Sequence, residues 1–160
     1  MVYKAFKSGF FATTDKSFLT VLVGKVHLDK IDLIKNTPGI FQEYIPKLLE
    51  LRITVIGRKV FATEIHSQEH EQAEHDWRGG KIDKIFHCPH ELPKSIEAMC
   101  LKFVEYFDLT FGAIDMILTP DGKYIFLENN PSGQFGWIEG RTNVPLTATL
   151  ATMLIAGRIL

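Results

Sequence analysis

Cysteine, charge of one sign and long apolar runs are all scarce in this sequence, and each scarcity excludes something. Cys88 and Cys100 are the two cysteines. They form no CxxC pair and are too few for a disulfide framework, so reduced thiols in a cytoplasmic protein are expected. A formal net charge of −1 supplies no electrostatic case for binding nucleic acid or an anionic membrane, although a local patch stays open. The amino-terminal MVYKAFKSGFF lacks the apolar core of a signal peptide. Val144–Leu160 is interrupted by threonines and Arg158 and is short for a membrane span, so a packed helix is expected there. No internal repeat or low-complexity tract is present. No convincing Ser/His or Cys/His arrangement points to a side-chain nucleophile.

What is present suits a soluble globular protein. Of 160 residues, 46% are hydrophobic and 23% charged, enough for a real core. The organising stretch is Phe111 to Trp137, FGAIDMILTPDGKYIFLENNPSGQFGW. The apolar runs Ala113–Leu118 and Lys123–Leu127 flank Thr119-Pro120-Asp121-Gly122, which predicts a β-hairpin. Closing it with Thr119 facing Gly122 puts Asp115 opposite Phe126 and diagonal to Glu128. Alternation then places Phe126, Glu128 and Asn130 on one face with Asp115, diagonal Cβ atoms being about 7–8 Å apart. Two carboxylates and an amide oxygen converge beside Pro131-Ser132-Gly133. Hard oxygen ligands of this kind suit Mg²⁺ shared with nucleotide phosphates. A solvated hairpin face, with Asn130-Pro131 an ordinary turn, accounts for the same residues, and this stretch alone leaves both readings open.

Val2–Phe6 reads as a strand carrying Lys4, either an edge lysine or a phosphate-binding cation in a cleft. Ser8-Gly9 opens a loop through Thr13-Thr14-Asp15. Leu19–Val23 and Ile40–Ile45 read as strands, with a short helix Leu28–Lys35 between them and a break at Thr37-Pro38-Gly39. Leu51–Ile56 alternates, with Arg52 and Thr54 on one side, and Gly57-Arg58-Lys59 turns the chain into Val60–Ile65. A cation at Arg52, if inside a cleft, suits phosphate neutralisation.

His66–Arg78 is polar and reads as a solvated, mobile loop. His66, His70 and His75 invite a zinc reading, but only His66 and His70 have i, i+4 spacing and no thiolate accompanies them. Asp76-Trp77-Arg78 is a Trp–Arg pair able to orient a guanidinium. Pro93–Phe107 predicts a helix with Ile96, Met99, Cys100, Phe103, Val104 and Phe107 on one apolar stripe, Cys100 being a small buried hydrophobe. Asn129–Arg141 reads as loop. A last helix starts near Pro145 and buries Leu146, Leu150, Met153 and Leu154.

Together, FQEYIPKLLELRITVIG, the tripeptide DWR, the hairpin stretch and the closing apolar helix resemble the carboxyl-terminal half of ATP-grasp ligases. The branch is that of the RimK-like enzymes that mature microviridin-type peptides (graspetides), and the similarity runs from about Val2 to Leu160. The resemblance implies an α+β fold: a partial ATP-grasp architecture of antiparallel sheets, packed helices and a nucleotide cleft between two lobes. Residues 1–45 would be the remainder of the small nucleotide-binding lobe and 46–160 the large lobe with the metal site.

It also implies ATP and two Mg²⁺ ions as cofactors. The family phosphorylates a carboxylate, and an amine or hydroxyl then attacks the acyl phosphate. Peptide or protein carboxylates are the implied substrates. By motif, Lys4 resembles the lysine contacting nucleotide phosphates, and Gln42, Glu43, Tyr44 and Ile45 resemble the hinge at the adenine edge. Lys47 and Glu50 fall where the family holds base or ribose. Arg52 and Arg78 resemble the arginines facing the γ-phosphate and acyl phosphate, while Asp115, Glu128 and Asn130 match the Mg²⁺ ligands. Asn129 departs from the pattern, since the family carries an apolar residue there. Full-length relatives have further amino-terminal parts, so a truncated ligase is expected, completed by another chain or a homo-oligomer. The competing readings are a non-catalytic nucleotide-binding or assembly module and a histidine-dependent metal protein.

Overall fold

The computed structural model describes residues 1–5, 19–36, 38–80 and 83–157, and the chain divides into two compact units. Met1–Pro46 with Ser67–Ile85 make one, and Lys47–His66 with Phe86–Leu160 make the other. The expected loop at Ser8-Gly9 and Thr13-Thr14-Asp15, and the break at Thr37, lie outside the described residues.

In the first unit, β1 (Val2–Ala5) lies between β2 (Val21–Leu22) and β3 (Gly39–Gln42) in an antiparallel sheet. Lys4 pairs with Ile40 and Val2 with Gln42. The strand expected over Ile40–Ile45 thus stops at Gln42. The helix expected over Leu28–Lys35 is instead a single α-turn, α1 (Lys25–Leu28), followed by a 3₁₀ segment Ile31–Asn36. Neither buries a residue, so no packed face sustains a longer helix. The polar stretch after His66 is more ordered than its composition suggests. It forms three 3₁₀ turns, Ser67–Glu69, Glu71–Ala73 and Trp77–Gly79, anchored by buried Ser67, Ala73 and Asp76.

The second unit is built on an antiparallel sheet ordered β6-β5-β4-β7-β8. Its strands are β4 (Leu49–Ile56), β5 (Lys59–Ile65), β6 (His87–His90), β7 (Phe111–Leu118) and β8 (Tyr124–Asn130). Leu49, Leu51, Ile53 and Val55 of β4 join Ile114 and Met116 of β7 under helix α2 (Lys94–Tyr106), which contributes Cys100 and Val104. The apolar stripe of α2 is narrower than its sequence suggests, because Met99 and Phe107 are exposed. On the opposite face Ile56 packs with Ile138 of α3 (Gly136–Thr142) and with Leu146 and Met153 of α4 (Leu146–Ala156). Thr149 is buried on α4, its hydroxyl donating to the Pro145 carbonyl at 2.7 Å, whereas Leu154 is exposed. Two elements had no sequence signal: β6, whose HCPH is polar and holds a proline tolerated at a sheet edge, and α3, inside the expected loop.

Asn129 lies on the α2 side of the sheet. A Cβ on Gly112 would come within 2.6 Å of Asn129 Oδ1 and 2.9 Å of Val104 Cγ2, so the glycine makes room for the amide. That oxygen is buried with no hydrogen-bond partner among the described residues. An orphaned buried acceptor costs about 1–3 kcal/mol. Asn129→Leu, nearly isosteric, is therefore expected to stabilise the protein by about 1 kcal/mol, read as a raised urea midpoint at unchanged slope.

Candidate functional site

The hairpin forms, but with a different register from the simplest closure. Thr119 faces Lys123 rather than Gly122, the Thr119 N–H donating to the Lys123 carbonyl at 2.9 Å. The pairing continues through Leu118–Tyr124 and Met116–Phe126, then slips so that Asp115 faces Glu128. Leu127 is the extra residue, a β-bulge that reverses the side-chain alternation of everything beyond it. Phe126 therefore stays with α2, its ring 5.0 Å from that of Phe103. Asp115 is not opposite Phe126, and Phe126 does not share the face of Glu128 and Asn130. The carboxylates of Asp115 and Glu128 are instead direct cross-strand neighbours, and Asn130 faces Ala113 one step along.

Arg52 completes this face. It pairs in register with Asp115, and its Nε lies 2.8 Å from Asp115 Oδ1. The guanidinium is almost buried and stands over the Trp137 ring, 5.9 Å from its centroid. Trp137 comes from α3 and is held edge-on by His87 at 5.5 Å. The chain leaving β8 presses against the same spot. A Cβ on Gly133 would fall 2.5 Å from Ala113 Cβ and 3.3 Å from both Arg52 Nη1 and Asn130 Cβ, so only glycine passes here. The Asn130 side-chain oxygen accepts the Ser132 N–H at 3.0 Å, which turns the chain and fixes the amide.

This arrangement gathers two carboxylates, an amide oxygen and a guanidinium. The donor set is all oxygen, which fits Mg²⁺ and discriminates against softer metals. Arg52 compensates the charge of Asp115, and Glu128 adds a second negative charge directly across the ladder. A cation would relieve that repulsion, and a phosphate could share it.

The remaining predicted residues lie as follows. Lys47 and Glu50 bond each other at 2.7 Å with both side chains nearly buried. In the first unit, Lys4 sits in the middle of the three-stranded sheet, while Gln42 ends β3 and Glu43, Tyr44 and Ile45 follow it. Tyr44 meets the His75 ring edge-on at 5.8 Å. Arg78 is forked onto Asp76, Nε to Oδ1 at 2.8 Å and Nη2 to Oδ2 at 2.7 Å. Thr20 N–H also donates to Asp76 Oδ2 at 2.9 Å. Burial pushes the Asp76 carboxyl up, but the Arg78 bonds and charge and the backbone donors outweigh it and hold its pKa at about 2. Sequence reasoning missed Trp137 as the aromatic partner of Arg52, because the tryptophan lies 85 positions on (137 − 52), in a segment without helical signal. His70 and His66 share no α-helical face: a 3₁₀ turn separates them, and His70 bonds the Lys84 carbonyl at 2.8 Å.

No protein-family profile and no curated protein sequence matches the chain. Solved structures do match. A RiPP-associated ATP-grasp ligase from Chryseobacterium gregarium, in complex with ADP and a leader and core peptide, is 36% identical with a TM-score of 0.85, covering 98% of this chain and 48% of its own. The macrocyclase MdnC bound with precursor peptide MdnA, from Microcystis aeruginosa MRC, is 41% identical with a TM-score of 0.81, covering 97% and 48%. ATP-grasp ligase PsnB, complexed with a phosphomimetic variant of minimal precursor, Mg and ADP, is 26% identical with a TM-score of 0.76, covering 97% and 45%. The chain thus spans about half the length of the solved structures it matches.

Two outcomes follow from the packing. Gly133→Ala should displace the Arg52 guanidinium and cost about 1–3 kcal/mol, measured by denaturant unfolding. The Asp76 carboxyl has a folded pKa below its unfolded value, so its stabilisation is present above about pH 4 and lost as pH falls toward 2. The shift corresponds to about 2 kcal/mol. The stability difference between the native protein and Asp76→Asn should accordingly shrink as unfolding is followed from pH 6 down to pH 2.

Proposed function

From the premise that this chain has the ATP-grasp fold of the RiPP-associated ligases, we propose that it binds ATP with Mg²⁺ and serves ligation of a peptide side-chain carboxylate. The observation that carries this reading is the single face on which Arg52, Asp115, Glu128 and Asn130 meet, closed by Gly133. Asp115, Glu128 and Asn130 would hold the metal. Mg²⁺, when bound, supplies charge neutralisation for the triphosphate. Arg52, fixed by Asp115 and Trp137, presents cationic hydrogen-bond donors to the transferring phosphoryl group at no reorganisation cost.

Within the same reading, Arg78 is the second phosphate-facing cation and Lys4 contacts the nucleotide phosphates. Gln42, Glu43, Tyr44 and Ile45 offer backbone groups to the adenine edge, and the Lys47–Glu50 pair lies by base or ribose. The substrate carboxylate attacks the γ-phosphorus, releasing ADP. An amine or hydroxyl of the peptide then attacks the acyl carbon, releasing phosphate, and leaves an amide or ester. We place the protein in the cytoplasm, where its free Cys88 and Cys100 stay reduced. Among the described residues no helix is long and apolar enough to cross a membrane. The further length that its relatives possess would come from additional chain, a companion protein or a second copy.

Nucleotide titration tests this. Saturable ATP binding that requires Mg²⁺ is expected, weakened at least ~10-fold in Asp115→Ala and in Glu128→Ala. ADP release stimulated by a precursor-type peptide would mark a ligase. Binding without such release would mark a nucleotide-binding module, and ATP binding indifferent to Mg²⁺ and to both substitutions would overturn the site.

A further inference from the structure

A second group of metal-ligating side chains lies on the other face of the second unit's sheet, at its β5–β6 edge. Glu64 lies near the end of β5, and His66, the residue just past that strand, turns its ring back onto the Glu64 carboxylate. β6 pairs Cys88 directly with Glu64 and His90 with Ala62, which brings Cys88 and His90 to the Glu64 side of the sheet. Glu64 is the hub. Its Oε2 lies 2.8 Å from His66 Nε2 and accepts the Cys88 thiol at 3.4 Å, while Oε1 lies 2.6 Å from His90 Nδ1. His90 Nε2 is in turn 2.9 Å from the Tyr124 hydroxyl. One ligand atom each from Glu64, His66 and Cys88 lies within 4.8 Å of the others.

We propose that Glu64, His66 and Cys88 form a binding site for a zinc-class transition-metal ion, with His90 as the residue that orients Glu64. The donors are one carboxylate oxygen, one imidazole nitrogen and one sulfur, the set that Zn²⁺ takes at about 2.0–2.3 Å. A tetrahedron of such bonds spaces its ligands about 3.3–3.8 Å apart, so Glu64 Oε2 and His66 Nε2, now 2.8 Å apart, open by about 0.5 Å, while all three ligand atoms already lie within 4.8 Å of one another. On binding, Cys88 releases its thiol proton to solvent, the ring proton of His66 resides on Nδ1 so that the Nε2 lone pair ligates, and the hydrogen bonds of Glu64 Oε2 to His66 and Cys88 are exchanged for metal bonds. The second oxygen of Glu64 keeps His90, and Tyr124 fixes the far side of that ring, as outer-shell partners of metal ligands do. The three side chains are only half-buried, so an ion reaches them from solvent and the fourth position is left to water. Thiolate and imidazole select this class of ion over Mg²⁺, so the site is independent of the nucleotide reading and stands or falls separately. Bound metal would clamp the short edge strand β6 onto β5.

The test is titration of the tag-free chain with Co²⁺ alone, without nucleotide, followed by competition with Zn²⁺. One Co²⁺ per chain is expected, with a thiolate-to-cobalt charge-transfer band that Zn²⁺ abolishes. Cys88→Ser should remove the band. Cys88→Ser and His66→Asn should each weaken binding at least ~10-fold, and His90→Asn about 10-fold. His27→Gln, on the exposed α1, should leave binding unchanged. Alkylation of the native protein provides a second reading that needs no variant to fold: Zn²⁺ should protect Cys88 from a thiol reagent. No saturable one-to-one binding, an affinity unchanged by Cys88→Ser, or equal Cys88 alkylation with and without Zn²⁺ would overturn the site.

Discussion

The register of three adjacent strands governs this molecule's candidate chemistry. Arg52 on β4, Asp115 on β7 and Glu128 on β8 stand side by side in successive ladder positions, and the bulge at Leu127 puts them in line. A one-residue slip in a sheet sends every side chain to the opposite face. Here the three-residue turn at Pro120–Gly122 introduces one such slip and the bulge introduces another. Their combination returns Glu128 and Asn130 to the side of Arg52 while leaving Phe126 among the apolar rings beneath α2. The same sheet therefore carries a hydrocarbon core on one face and an ionic cluster on the other.

Burial decides how firmly that cluster is held. Arg52 is nearly enclosed, and its Nε meets Asp115 Oδ1 at 2.8 Å as an ion pair without hydrogen-bond alignment, which leaves that donor unsatisfied among the described residues. Trp137 above it, Asp115 beside it and Gly133 against its Nη1 leave the guanidinium little freedom. Preorganised charge of this kind is what phosphoryl transfer requires, since the protein's contribution there is placement and neutralisation. The bidentate Arg78–Asp76 pair in the other unit follows a related rule: a buried carboxylate is kept ionised by a fork of donors.

Hydrogen bonding also separates the sheet's two titratable groups by ligand chemistry. Hard oxygens gather at Asp115, Glu128 and Asn130. Nitrogen, sulfur and a single carboxylate gather at His66, Cys88 and Glu64. In the latter group burial works against the Glu64 carboxylate, and the bonds from His90, His66 and Cys88 together with the charge of His90 outweigh it, keeping its pKa below the ordinary range. Burial and the nearby Glu64 raise that of the Cys88 thiol.

Much was legible in the residues alone, wherever the information is local. The β4 alternation, the β4–β5 turn, helix α2 and the existence of the β7–β8 hairpin all follow from periodicity and turn composition, and the ATP-grasp resemblance follows from four motifs in order. The co-facing of Asp115 with Glu128 and Asn130 was also reached, although by a closure that the structure does not use. What the sequence could not determine depends on strand partners far apart in the chain. The bulge at Leu127 answers to packing of Phe126 on Phe103, the pairing of Cys88 with Glu64 joins residues from a polar edge strand, and Trp137 meets Arg52 through a helix without sequence signal. Local preference sets which elements form, whereas their registers, and hence which side chains meet, are settled only when the sheet closes around its core.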